Sequence, residues 1–237
     1  MEINTKIRKP IVIMAFPNHS LVGSIACDYL LQHFENKCIG QIFIEDMTPT
    51  VAVHNKKLIK PIGIYYNKDR NILIIHSIVP LKNLEWDIVK KLKVFFDEIK
   101  PIEIINLEAI LKPMNDGYKK DVYFFTKNNI VKEKMKKHSD YIKELENTII
   151  IGISAAFILK MPKLPLVHIF VEANNMFPDS EASAIIIKFL DKYLGFDIDY
   201  KPLIKKAKDI ESKIKSIINE SNEVKTVADK RSVDYFG

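Results

Sequence analysis

The chain has 237 residues, 47% hydrophobic and 28% charged, enough for one α/β domain with a terminal extension or for two small domains around buried cores. Its formal charge of +6 comes from 36 basic and 30 acidic residues, interleaved along most of the sequence. Only Arg8, Arg70 and Arg231 are arginines, so the side chain suited to bidentate reading of phosphate and guanine is nearly missing and nucleic acid is not expected as a partner.

The opening MEINTKIRKP leads into IVIMAF, an apolar run of residues 11–16 stopped by Pro17. It is too short for a signal core or a membrane span, and it reads as a strand covered on both faces. The expectation is a soluble cytoplasmic protein with reduced thiols and no membrane partner. The segment after Pro17 places Leu21, Ile25, Tyr29 and Leu30 at helical spacing, with Asn18 or Ser20 available as N-cap.

Further strands are predicted at 38–45, 62–66, 71–79, 102–111, 122–126, 148–154 and 166–172, with helices at 84–99 and 179–194. Residues 127–146 are charged and read as a surface helix or loop. Buried strands interleaved with helices predict a three-layer α/β sandwich around a mostly parallel or mixed sheet, occupying residues 1–200. A C-terminal helix is expected over 201–222, where Leu203, Ala207, Ile210, Ile214 and Ile217 step by four and three. Docking on its own domain and packing between subunits both fit that seam. Residues 223–237 then read as a flexible tail that ends, unusually for a solvated arm, in Tyr235, Phe236 and Gly237.

Chemistry is sparse. The turn after the first strand offers Asn18, His19 and Ser20 where open α/β folds place ligands, but it contains neither a phosphate loop nor GxGxxG. Cys27 and Cys38 lack a third sulfur for a zinc site, and the six histidines show no metal-binding spacing. His76 and His168 lie within apolar strands and read as core residues. Ser154, in GISAA, lacks the context of an exposed nucleophile and reads as packing or strand termination. Glu45, Asp46, Glu108 and Glu172 stand near strand ends, where a carboxylate serves either as a base or as a cap and lysine partner. No catalytic residue, metal or cofactor is assigned.

FPNHSLVGSIACDYLL resembles the opening of the proteasome-assembly-chaperone family, an archaeal group related to the second eukaryotic assembly chaperone. TIIIGISAAFIL is similar to the family's Gly-Ile segment. LPLVHIFVEANNMFPDSEASAIIIKFLDKYLGFDIDY resembles its acidic-aromatic-Pro-Asp segment and the helix junction after it. The similarity runs from about Pro10 to Lys213; Asn18 and Ser20 stand where the family opening carries glycines.

This resemblance implies a body like that of purine nucleoside phosphorylases, self-association as a homotetramer or homopentamer, and the α-ring of the 20S proteasome as partner. It also implies that the carboxyl terminus docks through a hydrophobic-Tyr-any-residue ending, which Tyr235, Phe236 and Gly237 approximate with Phe236 in the tyrosine place. Two other readings stay open: a nucleoside phosphorylase-like or other small-ligand enzyme, and a scaffold for a non-proteasomal protein.

Overall fold

The computed structural model describes residues 7–17, 20–47, 49–54, 56–112, 119–174 and 178–205. In chain order the elements are β1 (Ile11–Ala15), α1 (Val22–His33), β2 (Lys37–Gln41), β3 (Ala52–His54), β4 (Lys57–Ile59), β5 (Ile62–Asn67), β6 (Ile72–Ser77), α2 (Glu85–Ile99), β7 (Glu103–Lys112), β8 (Val122–Thr126), α3 (Asn129–Lys136), β9 (Lys143–Glu144), α4 (Ile153–Lys160), β10 (Leu166–Asn174) and α5 (Ser180–Leu194). Eight strands form one sheet in the order β2-β5-β6-β1-β7-β10-β8-β9, and β3 and β4 form a separate hairpin. β1 runs parallel to both β6 and β7, and β10 is parallel to β7. Antiparallel pairings flank this centre, so the sheet is mixed with a parallel middle.

Strand alternation divides the core into two layers. Ile13 and Ala15 of β1 face α1 and α5, with Ile105, Leu107, Val167 and Ile169 beside them. Val12 and Met14 face the other way, toward Phe95 and Phe96 of α2 and Phe157 of α4. This is the expected three-layer sandwich, and the centre strands are apolar on both faces because helices cover both.

Helix α1 lies unusually close to the sheet. A Cβ on Gly23 would stand 2.4 Å from the carbonyl oxygen of Leu107 and 2.9 Å from Cβ of Ala15, so only glycine fits at that contact. Helix α5 starts on a capping aspartate, Asp179, whose side chain accepts from the Ala182 N–H, and ends at Gly195 with φ 66°. Beyond it, Arg70 donates to the carbonyls of Gly195 and Phe196, with its guanidinium near the rings of Phe34 and Phe196. The Tyr29 hydroxyl donates to the Asp199 carbonyl at 2.5 Å, and Leu203 is buried against the α1–α5 layer. Residues 201–205 are helical; the rest of the expected 201–222 helix and the 223–237 tail lie outside the described residues.

Most predicted strands recur within a few residues, but the strand expected at 148–154 does not form. Ile149 and Ile151 are 88% and 76% exposed, Gly152 has φ 72°, and α4 begins at Ile153. A short apolar run carries the same periodicity signal whether it becomes strand, helix or an exposed segment, so TIIIGIS misleads by composition. The β3–β4 hairpin, in a stretch containing Pro49 and three lysines, carries no strong strand signal.

Gly23→Ala should lower stability by about 1–3 kcal/mol, because the blocking atoms are backbone and a neighbouring Cβ that cannot rotate away. Thermal or denaturant unfolding measures the loss, and an unchanged midpoint would contradict the close contact of α1.

Candidate functional site

The carboxyl ends of β1 and β10 lie on the same edge of the sheet, and the loops that leave them meet there. Asn18 and His19 of the first loop lie outside the described residues, but Ser20 is fully buried and its carbonyl accepts from the Asp179 N–H at 2.9 Å. Leu21, with φ 52°, turns the chain into α1. Asp179 is the centre of the second loop. Its Oδ1 accepts from the Ala182 N–H and from Lys120 Nζ, each at 2.9 Å, and its Oδ2 accepts from the Asn174 N–H at 3.0 Å. Lys120 also donates to Glu181 at 2.6 Å. Burial alone would lower the Lys120 pKa, but hydrogen bonds and charge from Glu181 and Asp179 outweigh it and hold the ammonium above its ordinary value.

Next to this edge, Glu172 is fully buried on β10. Oε1 accepts from Lys112 and from the Tyr123 hydroxyl, and Oε2 accepts from the Asp121 N–H at 3.1 Å. Burial first, then the charges of Glu172 and Asp121, raise the Tyr123 phenol above its usual value. With both oxygens engaged, Glu172 joins β10 to β7 and β8 rather than serving as a free base. Of the other strand-end acids, Glu45 and Asp46 are exposed.

Glu108 belongs to a third arrangement, which sequence reasoning did not assemble. Asn106 and Glu108 are two residues apart on β7 and share its α4-facing side, and His168 pairs directly with Asn106 in register. Ser154, in the first turn of α4, donates to Glu108, while Asn106 Nδ2 donates to Ser154 Oγ at 2.8 Å and approaches His168 Nδ1 at 3.3 Å. A His168 ring that accepts at Nδ1 carries its proton on Nε2.

Burial lowers the His168 pKa to about 3, which keeps the ring neutral. Burial also pushes the Glu108 carboxyl up to about 7, against the opposing hydrogen bond from Ser154. Glu108 can therefore hold a proton near neutrality. Ser154 is fully buried, so this hydroxyl is closed to a substrate and bridges its two polar neighbours, Asn106 and Glu108. Asn106 Oδ1 and His168 Nε2 have no hydrogen-bond partner among the described residues, and a void of about 10 Å³ next to His168, between Thr126, Leu166 and Met161, has room for a single water.

His76 and His168 are both buried, as expected for core histidines, and burial lowers the His76 pKa against the charge of Asp28. Cys27 is buried and its thiol is pushed up by burial, whereas Cys38 is exposed. Among the described residues no cluster of three His, Cys, Asp or Glu side chains could hold a metal, and no helix is long and apolar enough to cross a membrane. The terminal Tyr235, Phe236 and Gly237 lie outside the described residues. The structure thus joins Ser20 to Asp179, leaves the strand-end acids in separate settings, and adds Lys120, Asn106 and Ser154 as polar anchors. An i, i+2 pair of polar residues inside the apolar IEIINLEAIL run was the sequence signal for Asn106 and Glu108.

Comparison with known proteins places these features in context. The pattern of the PAC2 family matches residues 12–218. An uncharacterized protein of Methanocaldococcus jannaschii is 26% identical over 216 residues, 89% of this chain and 86% of that protein. Among solved structures, PbaA of Pyrococcus furiosus, an archaeal homolog of proteasome-assembly chaperone, superposes with a TM-score of 0.82 at 19% identity, over 98% of this chain and 97% of its own. PbaB of the same organism, an archaeal proteasome activator, gives 0.75 at 19% identity, over 90% of this chain and 95% of its own.

Two stability measurements test this geometry. The Glu108 pKa is higher in the fold than its ordinary 4.5, so its contribution is fully present below pH 4.5 and is lost as pH rises through about 7. Glu108→Gln should remove this decline and gain on the order of 1–3 kcal/mol at pH 8 relative to pH 5, read from denaturant titrations. Asp179→Ala strips a cap and removes one bond each from Lys120, which keeps Glu181, and from the Asn174 N–H; it should cost about 2–4 kcal/mol in the same assay.

Proposed function

Because the chain belongs to the PAC2 family, we propose that it is an archaeal-type proteasome assembly chaperone or activator homologue that binds rather than catalyses. In this reading an oligomeric α/β body, residues 1–200, carries the 201–222 helix and presents the 223–237 tail to the α-ring of a cytoplasmic 20S proteasome. The observation that carries it is the fold shared end to end with an assembly-chaperone homolog and, over nine tenths of the chain, with a proteasome activator. In this proposal Tyr235, Phe236 and Gly237 form the docking element, with two aromatic surfaces offered to an apolar cleft.

One tail binds weakly, since few side chains must offset the cost of ordering a segment. Several tails on one homo-oligomer, a tetramer or pentamer, bind in concert when their spacing matches neighbouring clefts. The engagement of both Glu172 oxygens and the burial of Ser154 take these two side chains out of the base and nucleophile roles that a small-ligand enzyme would ask of them.

Deleting Tyr235–Gly237 should abolish co-sedimentation with cognate 20S particles and leave the subunit count, read by sedimentation velocity, unchanged. Phe236→Tyr should bind at least as tightly as the parent. Equal binding by the truncated and full-length proteins would overturn tail docking.

A further inference from the structure

The two helical layers meet solvent differently. Neither α1 nor α5 exposes a large apolar side chain, as expected of helices whose outer faces meet only water. On the opposite face, Trp86 is 54% exposed, Val94 67% and Leu159 65%, and the exposed Ile149 and Ile151 precede α4 in the chain. Trp86 and Val94 are eight residues apart on α2 and therefore share a stripe along that helix. A shallow recess of about 530 Å³ opens between the layers' two helices, lined by Trp86, Asp87 and Lys90 of α2 and by Leu159 and Lys160 of α4.

Charge chooses the occupant. The recess carries a carboxylate, Asp87, and an ammonium, Lys90, on its α2 side and a second ammonium, Lys160, on its α4 side, with the apolar pair Trp86 and Leu159 between the two helices. A two-fold axis through such a surface lays α2 of one subunit across α4 of the other, and every contact occurs twice. Each Asp87 then meets a Lys160, and each Trp86 fills the partner recess against Leu159. Lys90, one turn farther along α2, stays at the rim, where a charge is solvated at little cost. Tryptophan at the centre with charged residues around it is also the usual anatomy of a protein–protein hot spot.

We propose that the α2–α4 face, centred on Trp86 and Leu159, is an isologous interface with a second copy of this chain, held in register by reciprocal Asp87–Lys160 pairs. The inference rests on the self-association already proposed, in its tetrameric form since a five-membered ring has no two-fold axis, and names the surface that makes one of its contacts. The tail is a separate element of that reading, so truncation at Tyr235 does not test this face.

Trp86 is the only tryptophan in the chain, which makes the interface visible by intrinsic fluorescence. Diluting the full-length protein should shift its emission to the red as subunits part, in step with the fall in sedimentation coefficient. Asp87→Lys should raise the dissociation constant about tenfold or more by setting like charges together, and adding Lys160→Asp should restore it. Both residues are exposed, so circular dichroism of each variant should match the parent.

An oligomer whose tryptophan emission ignores dilution, or whose affinity the double exchange fails to restore, places the contact elsewhere while self-association stands. A protein that sediments as a monomer at every concentration overturns self-association and this interface together.

Discussion

The carboxylate of Asp179 is the junction on which the carboxyl edge of the sheet depends. Its two oxygens accept from the end of β10, from the first turn of α5 and from Lys120, and its own N–H reaches back to Ser20 after β1. A buried charge is stable only when paired and fully hydrogen-bonded, so these partners come as a set. The set fixes where α5 starts, and α5 packs on α1, which the glycine contact at Gly23 holds against β7. One helix layer is therefore located by a polar knot at one end and by a steric fit in its middle.

The other layer is located differently. α2 presents Ile88, Leu92, Phe95 and Phe96 to the sheet, a wide apolar stripe, and α4 contributes Phe157 from only two turns of helix. Because α4 is short, its orientation relies on the bond from Ser154 to Glu108 as well as on Phe157. A carboxyl that burial pushes up to about 7 thus sits under the first turn of the helix that borders the exposed apolar face. One side of α4 rests on half-buried Glu108 of β7, while Leu159 on the same helix faces solvent.

Much of the architecture was legible because both faces of the central strands are covered. IVIMAF, NILIIH and LVHIFV are nearly unbroken apolar runs, and the charged helices between them alternate at the expected period. TIIIGIS failed because the same residue types face solvent there, and the reason for an exposed isoleucine is a surface property that local periodicity does not encode. Of the candidate residues, Ser20 was found from its position after the first strand. Asp179 was visible only as part of a Pro-Asp segment, since its partners come from residues 20, 120, 174 and 182. The Asn106–His168 pairing depends on strand register, which the sequence of either strand alone leaves free.

Arg70, stacked near Phe34 and Phe196 and bonded to the carbonyls after α5, works with the Tyr29–Asp199 bond and buried Leu203 as a gimbal lock on the segment that follows. Residues 201–205 thus start their helix on a bearing set by α1 and the β5–β6 turn, so the heading of that first turn is dictated by the body it rests on.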